Sequence, residues 1–324
     1  MDMKCVLVDR IGGFEMTRVP VKAPLPDEVQ IRVEVTGLCR TDLKLIRVGH
    51  RDLVLPRIPG EEVVGVVCET GAGVKSVNTG DRVYVYPGVW CGVCPSCRIG
   101  AENLCRKMQI MGFHRDGGFA RFVTAPVRSV IPVPDGLAAD LAVFAEPLSC
   151  CLNALELGQV EHGKTVAIWG AGPAGTLLAR AAESLGAETF SIDPDSNRCK
   201  QIQGYDACPD RYADVCIVAV GSVSAYETAL SRLGPRGRLV VFSGLHPTED
   251  KLPVSFNQLH YHEQTIVGAY GCCYRHGEQA LERIASGAVR VSDLISHRMA
   301  LDDLDKALSM VENRQCMKIL LYPD

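Results

Sequence analysis

Two patterns of apolar and polar positions divide the chain. Up to about residue 147, β-branched runs such as "EVQIRVEV", "EEVVGVV" and "DRVYVY" often alternate apolar with polar positions, and turn-forming clusters separate them. From about residue 150, continuous apolar runs such as "KTVAIWG" and "ADVCIVAVG" alternate with Ala- and Leu-rich stretches. The first pattern predicts a mostly β domain. The second predicts a parallel sheet with helices between its strands.

The segment after about residue 271 mixes both patterns. "GEQALERIASG" and "LDDLDKALSMVENR" have helical periodicity, and "MKILLYP" indicates a closing strand. We expect this tail to return to the first domain. A chain of 324 residues is long enough for two cores. The predicted domains are therefore residues 1–149 with 271–324, and residues 150–270.

A glycine-rich turn opens the second domain. "TVAIWGAGPAGTLLARAAESLGAETFSIDPD" places Gly170, Gly172 and Gly175 in the G-x-G-x-x-G spacing, with Pro173 and Ala174 inside the turn. Glycines at this spacing, between a strand and a helix, permit a tight turn, approach of a pyrophosphate and close helix packing. The sequence therefore predicts a Rossmann-type, doubly wound sheet that binds a dinucleotide.

An acidic residue ends the second strand of this sheet. Asp193 lies 18 residues past Gly175, where a carboxylate takes the ribose hydroxyls and repels a 2′-phosphate. NAD(H) is therefore favoured over NADP(H). Only 21 residues, 194–214, precede the next strong strand, which predicts a short crossover and an open adenine side. Arg198 and Lys200 could then reach a 2′-phosphate, so NADP(H) is retained as an alternative.

Four cysteines form a compact cluster in the first domain. "CGVCPSCRIGAENLC" spaces Cys91, Cys94, Cys97 and Cys105 as C-x2-C-x2-C-x7-C. In a reducing compartment, four thiolates this close complete a tetrahedral zinc site with no open position, which predicts a structural zinc lobe at about residues 88–107. An iron–sulfur cluster is the rival. Bacterial ferredoxins have a shorter last gap and a proline after the final cysteine, whereas Arg106 follows here.

The cysteine content, the net charge and the N-terminal sequence indicate the compartment and the partners of the protein. Fifteen cysteines, an odd number with uneven spacing, argue against a secreted disulfide scaffold. The net charge of −4, without a basic block, points away from nucleic acid and anionic membranes as partners. The N-terminus lacks the apolar segment of a signal peptide, and no stretch is long enough to span a bilayer. We therefore expect a cytoplasmic protein.

Seven motifs together resemble one family over almost the whole chain. They are "GLCRTD", "PGEEVVG", "GDRV", "CGVCPSCRIGAENLC", "GGFARF", "AEPLSC" and "GAGPAG". On these motifs the chain resembles the medium-chain zinc-dependent alcohol dehydrogenases, in particular the polyol (sorbitol-type) and threonine dehydrogenase branch. The resemblance implies a GroES-like, partly open β-barrel catalytic domain, a catalytic zinc, a small alcohol or ketone substrate, and a homodimer or homotetramer.

The same resemblance assigns the ligands of the catalytic metal. They fall on Cys39, on Glu61 or Glu62, and on Glu146. Most members of the family have a histidine where this chain has Glu61, while Glu62 matches the family's usual glutamate. A thiolate with two or three carboxylates is a harder set than Cys/His/Glu. It still suits zinc, and it widens the choice toward Mn²⁺ or Fe²⁺.

The resemblance also assigns the groups that move the proton. Thr41 matches the family's hydroxyl that hydrogen-bonds the substrate oxygen. Lys44 stands where the relay histidine is expected, and a lysine can pass a proton only if its pKa is depressed. His50 is an alternative relay, weighed against a merely solvated loop histidine.

The sequence leaves three functions to weigh. The first is reversible hydride transfer between NAD(H) and a secondary alcohol, either a polyol or an amino alcohol, because an acidic cleft accepts hydrogen bonds and pairs with ammonium. The second is an NAD-binding protein that lost catalysis together with its metal, in which Glu61 is a solvated turn residue. The third is a metal-free reductase of activated double bonds, against which the retained Cys39 and Glu146 speak.

Overall fold

The computed structural model describes residues 1–202, 204–246 and 248–323. The strands are β1 (Asp2–Leu7), β2 (Glu15–Pro20), β3 (Glu28–Leu38), β4 (Glu62–Thr70), β5 (Arg82–Val85), β6 (Gly88–Val89), β7 (Gln109–Ile110), β8 (Phe122–Pro126), β9 (Val130–Pro132), β10 (Thr165–Trp169), β11 (Glu188–Ile192), β12 (Ala213–Val218), β13 (Leu233–Val241), β14 (Thr265–Gly268), β15 (Ile295–Ala300) and β16 (Lys318–Tyr322). The helices are α1 (Arg40–Arg47), α2 (Pro95–Arg98), α3 (Ala139–Ala142), α4 (Ala145–Leu157), α5 (Pro173–Ser184), α6 (Ser196–Ile202), α7 (Val223–Ser231), α8 (Phe256–His262), α9 (Tyr274–Ala285) and α10 (Leu304–Glu312).

The chain forms two compact units. The first consists of Met1–Glu146 and Cys273–Asp324, and the second of Pro147–Cys272. The sequence predicts residues 1–149 with 271–324 for the first domain and 150–270 for the second. Residue 324, the last of that predicted first domain, lies outside the described residues. In the described part of the chain, no helix combines the length and the apolar character needed to cross a bilayer.

A mixed sheet forms the centre of the first unit. Its strand order is β15-β16-β3-β4-β5-β9, and β8 also pairs with β3. Val29, Ile31 and Val33 of β3 and Val63 and Val67 of β4 are all buried in one apolar cluster. Every second residue of a strand faces the same side, so the alternating runs of the sequence produce this buried face. The β-rich first domain predicted from the sequence is confirmed.

The β3–β4 pair brings two of the sequence motifs together. Strand β3 ends at Leu38, Cys39 follows it, and α1 begins at Arg40. Strand β4 begins at Glu62, directly after the segment 59–61. The antiparallel register places Gly37 opposite Glu62. Hydrogen bonding between these strands therefore fixes "GLCRTD" beside "PGEE".

The second unit contains a parallel sheet of order β11-β10-β12-β13-β14. The chain runs from β10 outward to β11 and then returns to the other side of β10 to form β12. This reversal of strand order creates a switch point at the carboxyl ends of β10 and β12, where open α/β sheets bind their ligands. The predicted Rossmann-type, doubly wound sheet is confirmed.

The crossover from β11 to β12 comprises residues 193–212, a short connection like the 21-residue one, 194–214, predicted from the sequence. Of the described residues between these strands, those of α6 are helical, and an isolated parallel bridge joins Ile192 to Tyr205. Strand β11 is thus an edge strand of the sheet. The adenine of a bound dinucleotide lies on the β11 side of the turn that follows β10.

Candidate active site

The first turn of α1 holds Cys39. The backbone N–H of Cys39 donates to Asp42 Oδ2 at 2.9 Å, and Cys39 Sγ accepts from the Thr41 N–H at 3.4 Å. This reciprocal arrangement is a capping box at the helix N-terminus, where the helix dipole also favours the Asp42 carboxylate. The position of the sulfur is therefore fixed by the start of the helix.

Asp42 links the two motifs. Its side chain is 1% exposed, and its second oxygen, Oδ1, accepts from the Gly60 N–H at 3.2 Å. Burial raises the pKa of Asp42 to about 7, although the hydrogen bonds from the Cys39 and Gly60 N–H groups act in the opposite direction. Asp42 is thus the brace between the segment that carries Cys39 and the segment that carries Glu61. Sequence reasoning missed this role, although an acid at the third helical position is a recognisable capping signal.

Glu62 is held in a buried ion pair with Lys318. Lys318 Nζ donates to both carboxylate oxygens, at 2.6 and 2.7 Å, and the exposed fractions of Glu62 and Lys318 are 0% and 4%. Burial alone would lower the pKa of Lys318, but the charges of Glu62 and Cys39 raise it above its ordinary value, so the ammonium stays charged. Lys318 thus takes one lone pair of each Glu62 oxygen and balances the charge of the carboxylate. Glu62 is therefore less suited than Glu61 to bind a metal.

A glycine makes room for this ion pair. Gly37 faces Glu62 across the β3–β4 ladder, and a Cβ atom on Gly37 would overlap Glu62 Oε2. The glycine of "GLCRTD" is thus required by the carboxylate of "PGEE". Sequence reasoning did not connect the two residues, nor either of them to Lys318, which lies 256 positions from Glu62.

Glu61 lies on a turn that only glycine can make. Gly60 has a φ of 102°, and a Cβ atom there would come within 2.7 Å of the Phe119 ring. Glu61 is half-buried, and its Cγ would lie 3.5 Å from a Cβ atom on Gly112. The backbone that presents Glu61 is therefore tightly constrained.

The donor chemistry of Cys39, Glu61 and Glu146 fits a divalent metal. Burial and the charge of Glu62 raise the pKa of the Cys39 thiol far above its ordinary value; Lys318 opposes this effect and Glu146 adds to it. Metal binding to Cys39 would deprotonate the thiol. Within the described residues, the three donor atoms do not all lie within 4.8 Å of one another, so the side chains must rotate to complete a coordination sphere. The ligand assignment stays a prediction.

The predicted proton relays lie on α1 and just beyond it. Thr41 Oγ1 accepts from the Cys39 thiol at 3.5 Å, while the side chain of Lys44 is exposed. His50 is half-buried and its Nδ1 accepts from the Asp52 N–H at 3.2 Å, which places a ring proton on Nε2. Burial lowers the pKa of His50, so its neutral form is favoured. The relay roles of these three residues stay predictions.

The four cysteines of the lobe converge on one point. The Sγ atoms of Cys91, Cys94, Cys97 and Cys105 all lie within 4.8 Å of one another. The backbone N–H groups of Cys91 and Lys107 each donate to Cys105 Sγ at 3.3 Å. Backbone donors also lower the pKa of Cys91, and they lower the pKa of Cys94 to about 6. Four sulfurs with N–H donors directed at them match a closed tetrahedral zinc site.

The variant Cys97→Ser is expected to lose the zinc of this lobe and to unfold residues 88–107, because structural zinc contributes directly to folding. Elemental analysis of the purified chain measures the loss. Cys68→Ser is the control, since the Cys68 thiol donates to Gln30 O, outside the lobe. A Cys97→Ser chain with the metal content of the wild type would refute the site.

The glycine-rich turn of the second unit has the backbone of a phosphate-binding turn. Gly170 has a φ of 108°, and a Cβ atom on Gly175 would overlap Gly170 O. A Cβ atom on Gly172 would face Arg198 Nη1 at 3.6 Å, so the guanidinium lies beside the turn. Helix α5 begins at Pro173, and its N-terminal N–H groups and dipole favour a bound phosphate.

Asp193 is held against this turn. Its Oδ2 accepts from the Ala171 N–H at 2.8 Å, and its Oδ1 accepts from the Asp195 N–H at 2.9 Å. The Cys199 thiol donates to the Asp193 carbonyl at 3.0 Å. Each carboxylate oxygen has a second lone pair, so a fixed Asp193 can also accept from ligand hydroxyls.

A chain that carries both a dinucleotide turn and a cluster of thiol and carboxyl metal donors has the two components of an alcohol dehydrogenase, in which a cofactor takes the hydride and a metal polarises the alcohol. Comparison with known families agrees. Residues 25–135 match the alcohol dehydrogenase GroES-like domain, and residues 178–286 match the zinc-binding dehydrogenase domain. The chain belongs to the zinc-dependent medium-chain alcohol dehydrogenase family, and it is an oxidoreductase acting on CH–OH groups. The GroES-like domain and the polyol branch implied by the sequence motifs are confirmed.

Individual relatives match along nearly the whole chain. The sequence is 30% identical over 328 residues to 2-dehydro-3-deoxy-L-galactonate 5-dehydrogenase of Pseudoalteromonas atlantica, covering 95% of each chain. It is 29% identical over 350 residues to sorbitol dehydrogenase of Bacillus subtilis, covering 100% of this chain and 98% of the relative. A crystal structure assigned as a zinc-binding dehydrogenase of Sinorhizobium meliloti, bound to NADP, superposes with a TM-score of 0.93 at 28% identity, and each chain is fully covered.

Proposed function

We propose that this chain catalyses reversible hydride transfer between NAD(H) and a polyhydroxylated secondary alcohol or its ketone. The observation that carries the proposal is the hydrogen-bonded arrangement around Cys39, in which the buried Asp42, Glu62 and Lys318 hold the metal donors in place. The same chain has a dinucleotide turn with Asp193 held against it. The relatives named for sorbitol and for a deoxygalactonate support a polyhydroxylated substrate. Carboxylates around such a site accept hydrogen bonds from several hydroxyl groups.

Different residues of the chain have different roles in the proposed reaction. A divalent metal held by Cys39, Glu61 and Glu146 would supply Lewis acidity, and bound NAD⁺ would accept the hydride. Thr41 is suited to take the proton of the substrate hydroxyl, since its own hydroxyl lies 3.5 Å from Cys39 Sγ. The charge of Lys318 opposes the rise that burial and the charge of Glu62 cause in the pKa of Cys39.

The experiment that tests the function is a substrate screen with the zinc-loaded chain. NADH formation is followed with polyols, sugar acids, amino alcohols and simple secondary alcohols. We expect turnover with at least one polyhydroxylated compound and weaker turnover with simple alcohols. An NAD-binding protein without catalysis would instead bind NADH and turn over none of the four classes, and that result would reject the proposal.

We further propose that NAD(H) is preferred to NADP(H), because the anionic Asp193 lies against the turn and would repel a 2′-phosphate. Asp193→Ala is expected to shift the ratio of NADP(H) to NAD(H) affinities by about tenfold toward NADP(H), or about 1.4 kcal/mol. Fluorescence titration with NADH and NADPH measures the two affinities. A general loosening of the turn would weaken both affinities and so leave their ratio unchanged. Asp210→Ala, an exposed change, is the control. A wild-type chain that already binds NADPH more tightly would overturn the preference.

We propose a cytoplasmic homodimer or homotetramer that associates through β14. This strand is an edge of the parallel sheet. On α8, Phe256 and Tyr261 are 81% and 75% exposed, an unusual amount of aromatic surface for an isolated chain. The odd number and uneven spacing of the fifteen cysteines suit a reducing cytoplasm. Light scattering should give twice or four times the chain mass for the wild type and a lower mass for Phe256→Lys; a monomeric wild type would exclude this association.

A further inference from the structure

Two Cys-Cys dipeptides lie near the two ends of the second unit. The first, Cys150-Cys151, is in α4, and the second, Cys272-Cys273, spans the end of the unit. Cys151 Sγ donates to Ala174 O at 3.6 Å, so this thiol is directed toward the glycine-rich turn. Cys273 belongs to the first unit and donates there, to Asn103 Oδ1 at 3.2 Å.

The other member of each dipeptide faces its counterpart. Cys150 Sγ and Cys272 Sγ lie within 4.8 Å of each other, and both residues belong to the second unit. The Ser149 hydroxyl donates to Cys272 Sγ at 3.0 Å, and Asn153 Nδ2 donates to Gly271 O at 2.9 Å. Side chains one residue before and three residues after Cys150 thus anchor the segment that carries Cys272.

We propose that Cys150 and Cys272 form a reversible disulfide when the chain meets a hydroperoxide. Cys150 is half-buried, whereas Cys272 is only 5% exposed, so the peroxide reaches Cys150 first. Its thiolate attacks the peroxide oxygen, the O–O bond breaks, and the products are a sulfenic acid on Cys150 and an alcohol, or water from hydrogen peroxide. The Cys272 sulfur then attacks the Cys150 sulfur, an S–S bond forms, and the sulfenic hydroxyl leaves as water. The two thiols lose two protons and two electrons, and the hydroperoxide accepts them.

The geometry allows the second step without rearrangement of the fold. A disulfide requires the sulfurs to approach to about 2.0 Å, and rotation about the side-chain bonds of Cys150 can close a gap that starts below 4.8 Å. The main chain on both sides stays anchored by Ser149 and Asn153 during this rotation. A thiol then restores the reduced form by disulfide exchange, as for the transient disulfides of reducing compartments.

The position of the bond gives it a physical consequence. The second unit runs from Pro147 to Cys272, so a bond between Cys150 and Cys272 joins its two ends and closes almost the whole unit into one loop. Closing a long loop restricts the unfolded chain more than closing a short one. The oxidised chain is therefore more resistant to unfolding of its cofactor domain. Hydroperoxide stress would stabilise this unit at the same time as it threatens exposed thiols elsewhere.

The test uses the full chain with its zinc and does not depend on any substrate. The chain is treated with a small molar excess of hydrogen peroxide, free thiols are alkylated, and digestion peptides are mapped by mass spectrometry. We expect a Cys150 peptide linked to a Cys272 peptide, with fragmentation assigning the bonded sulfurs, and a higher temperature of thermal unfolding. Dithiothreitol should reverse both changes.

Variants of single cysteines show whether the Cys150–Cys272 bond, and not another oxidation, causes these changes. Cys150→Ser and Cys272→Ser should lose the link and the thermal shift, while Cys151→Ser should keep both. If the wild type shows Cys150 oxidised to a sulfinic acid, or left unmodified, without a link to Cys272, the proposal is wrong. A link that forms equally in Cys150→Ser, through Cys151, would also reject it.

Discussion

Replacing Glu61 by alanine is expected to empty the catalytic metal site and to lower kcat by at least about 100-fold, while the zinc of the cysteine lobe remains. Cys39 and Glu146 alone would leave the metal with one thiolate and one carboxylate from the chain, too few for a stable site. Elemental analysis before and after dialysis measures the metal content, and steady-state kinetics with the substrate found by the screen measures kcat.

Two further variants sharpen this test. Glu69→Ala removes an exposed glutamate of β4, the strand that follows Glu61, and should change neither quantity. Glu61→His supplies a neutral ligand, so the metal is a stronger Lewis acid, the bound alcohol ionises more readily and the pH optimum moves downward. Unchanged metal content and kcat in Glu61→Ala would show that Glu61 is a solvated turn residue.

Lys318→Met is expected to lower the free energy of unfolding of the first unit by about 3–5 kcal/mol. The loss arises because Glu62, which is 0% exposed, would keep a buried charge without a partner. Urea denaturation followed by a probe in the first unit measures the change. The double variant Glu62→Gln with Lys318→Met removes both charges and should recover most of the lost stability.

The stabilisation that the Glu62–Lys318 ion pair provides depends on pH and is lost at high pH. The pKa of Lys318 is raised in the folded chain, so the ion pair stabilises the fold fully below the unfolded-state pKa of about 10.4. Its contribution is lost only as the pH rises through the higher pKa of the folded state. The difference between the wild type and Lys318→Met should thus persist through neutral pH. Equal stability of the two chains at pH 7 would mean that the ion pair is unimportant.

Much of the architecture could be predicted from local sequence. The apolar runs at β10 and β12 are continuous, as buried parallel strands require, and the glycine spacing places a phosphate turn after the first of them. The four-cysteine lobe is equally local, because all its sulfurs come from residues 91–105. In both cases the residues that define the feature are close together in the chain.

The interior of the candidate site was not predictable in this way. The ion pair of Glu62 with Lys318 joins β4 to the last strand, and neither sequence neighbourhood indicates the other. The brace formed by Asp42 depends on the segment 59–61 folding back onto the start of α1. Long-range pairing of strands creates both contacts, and single-sequence patterns carry little information about which strands pair.

The two glutamates of "PGEE" illustrate the difference. Successive residues at the start of a strand point to opposite faces, so a pair of adjacent acids cannot share one environment. Glu62 faces Lys318 in the core, and Glu61 lies on the turn beside Gly112. The sequence motif suggested either residue as a metal ligand. The observed ion pair makes Glu61 the stronger candidate.

The most direct test of the central claim is the metal dependence of NADH formation. The chain is dialysed against a chelator until only the zinc of the cysteine lobe remains, and it is assayed with NAD⁺ and a polyhydroxylated alcohol before and after adding Zn²⁺, Mn²⁺ or Fe²⁺. We predict negligible turnover before addition, and recovery with at least one of the three ions in the wild type but not in Glu61→Ala. Full turnover by the dialysed chain, unaffected by added metal, would contradict a catalytic metal held by Cys39, Glu61 and Glu146.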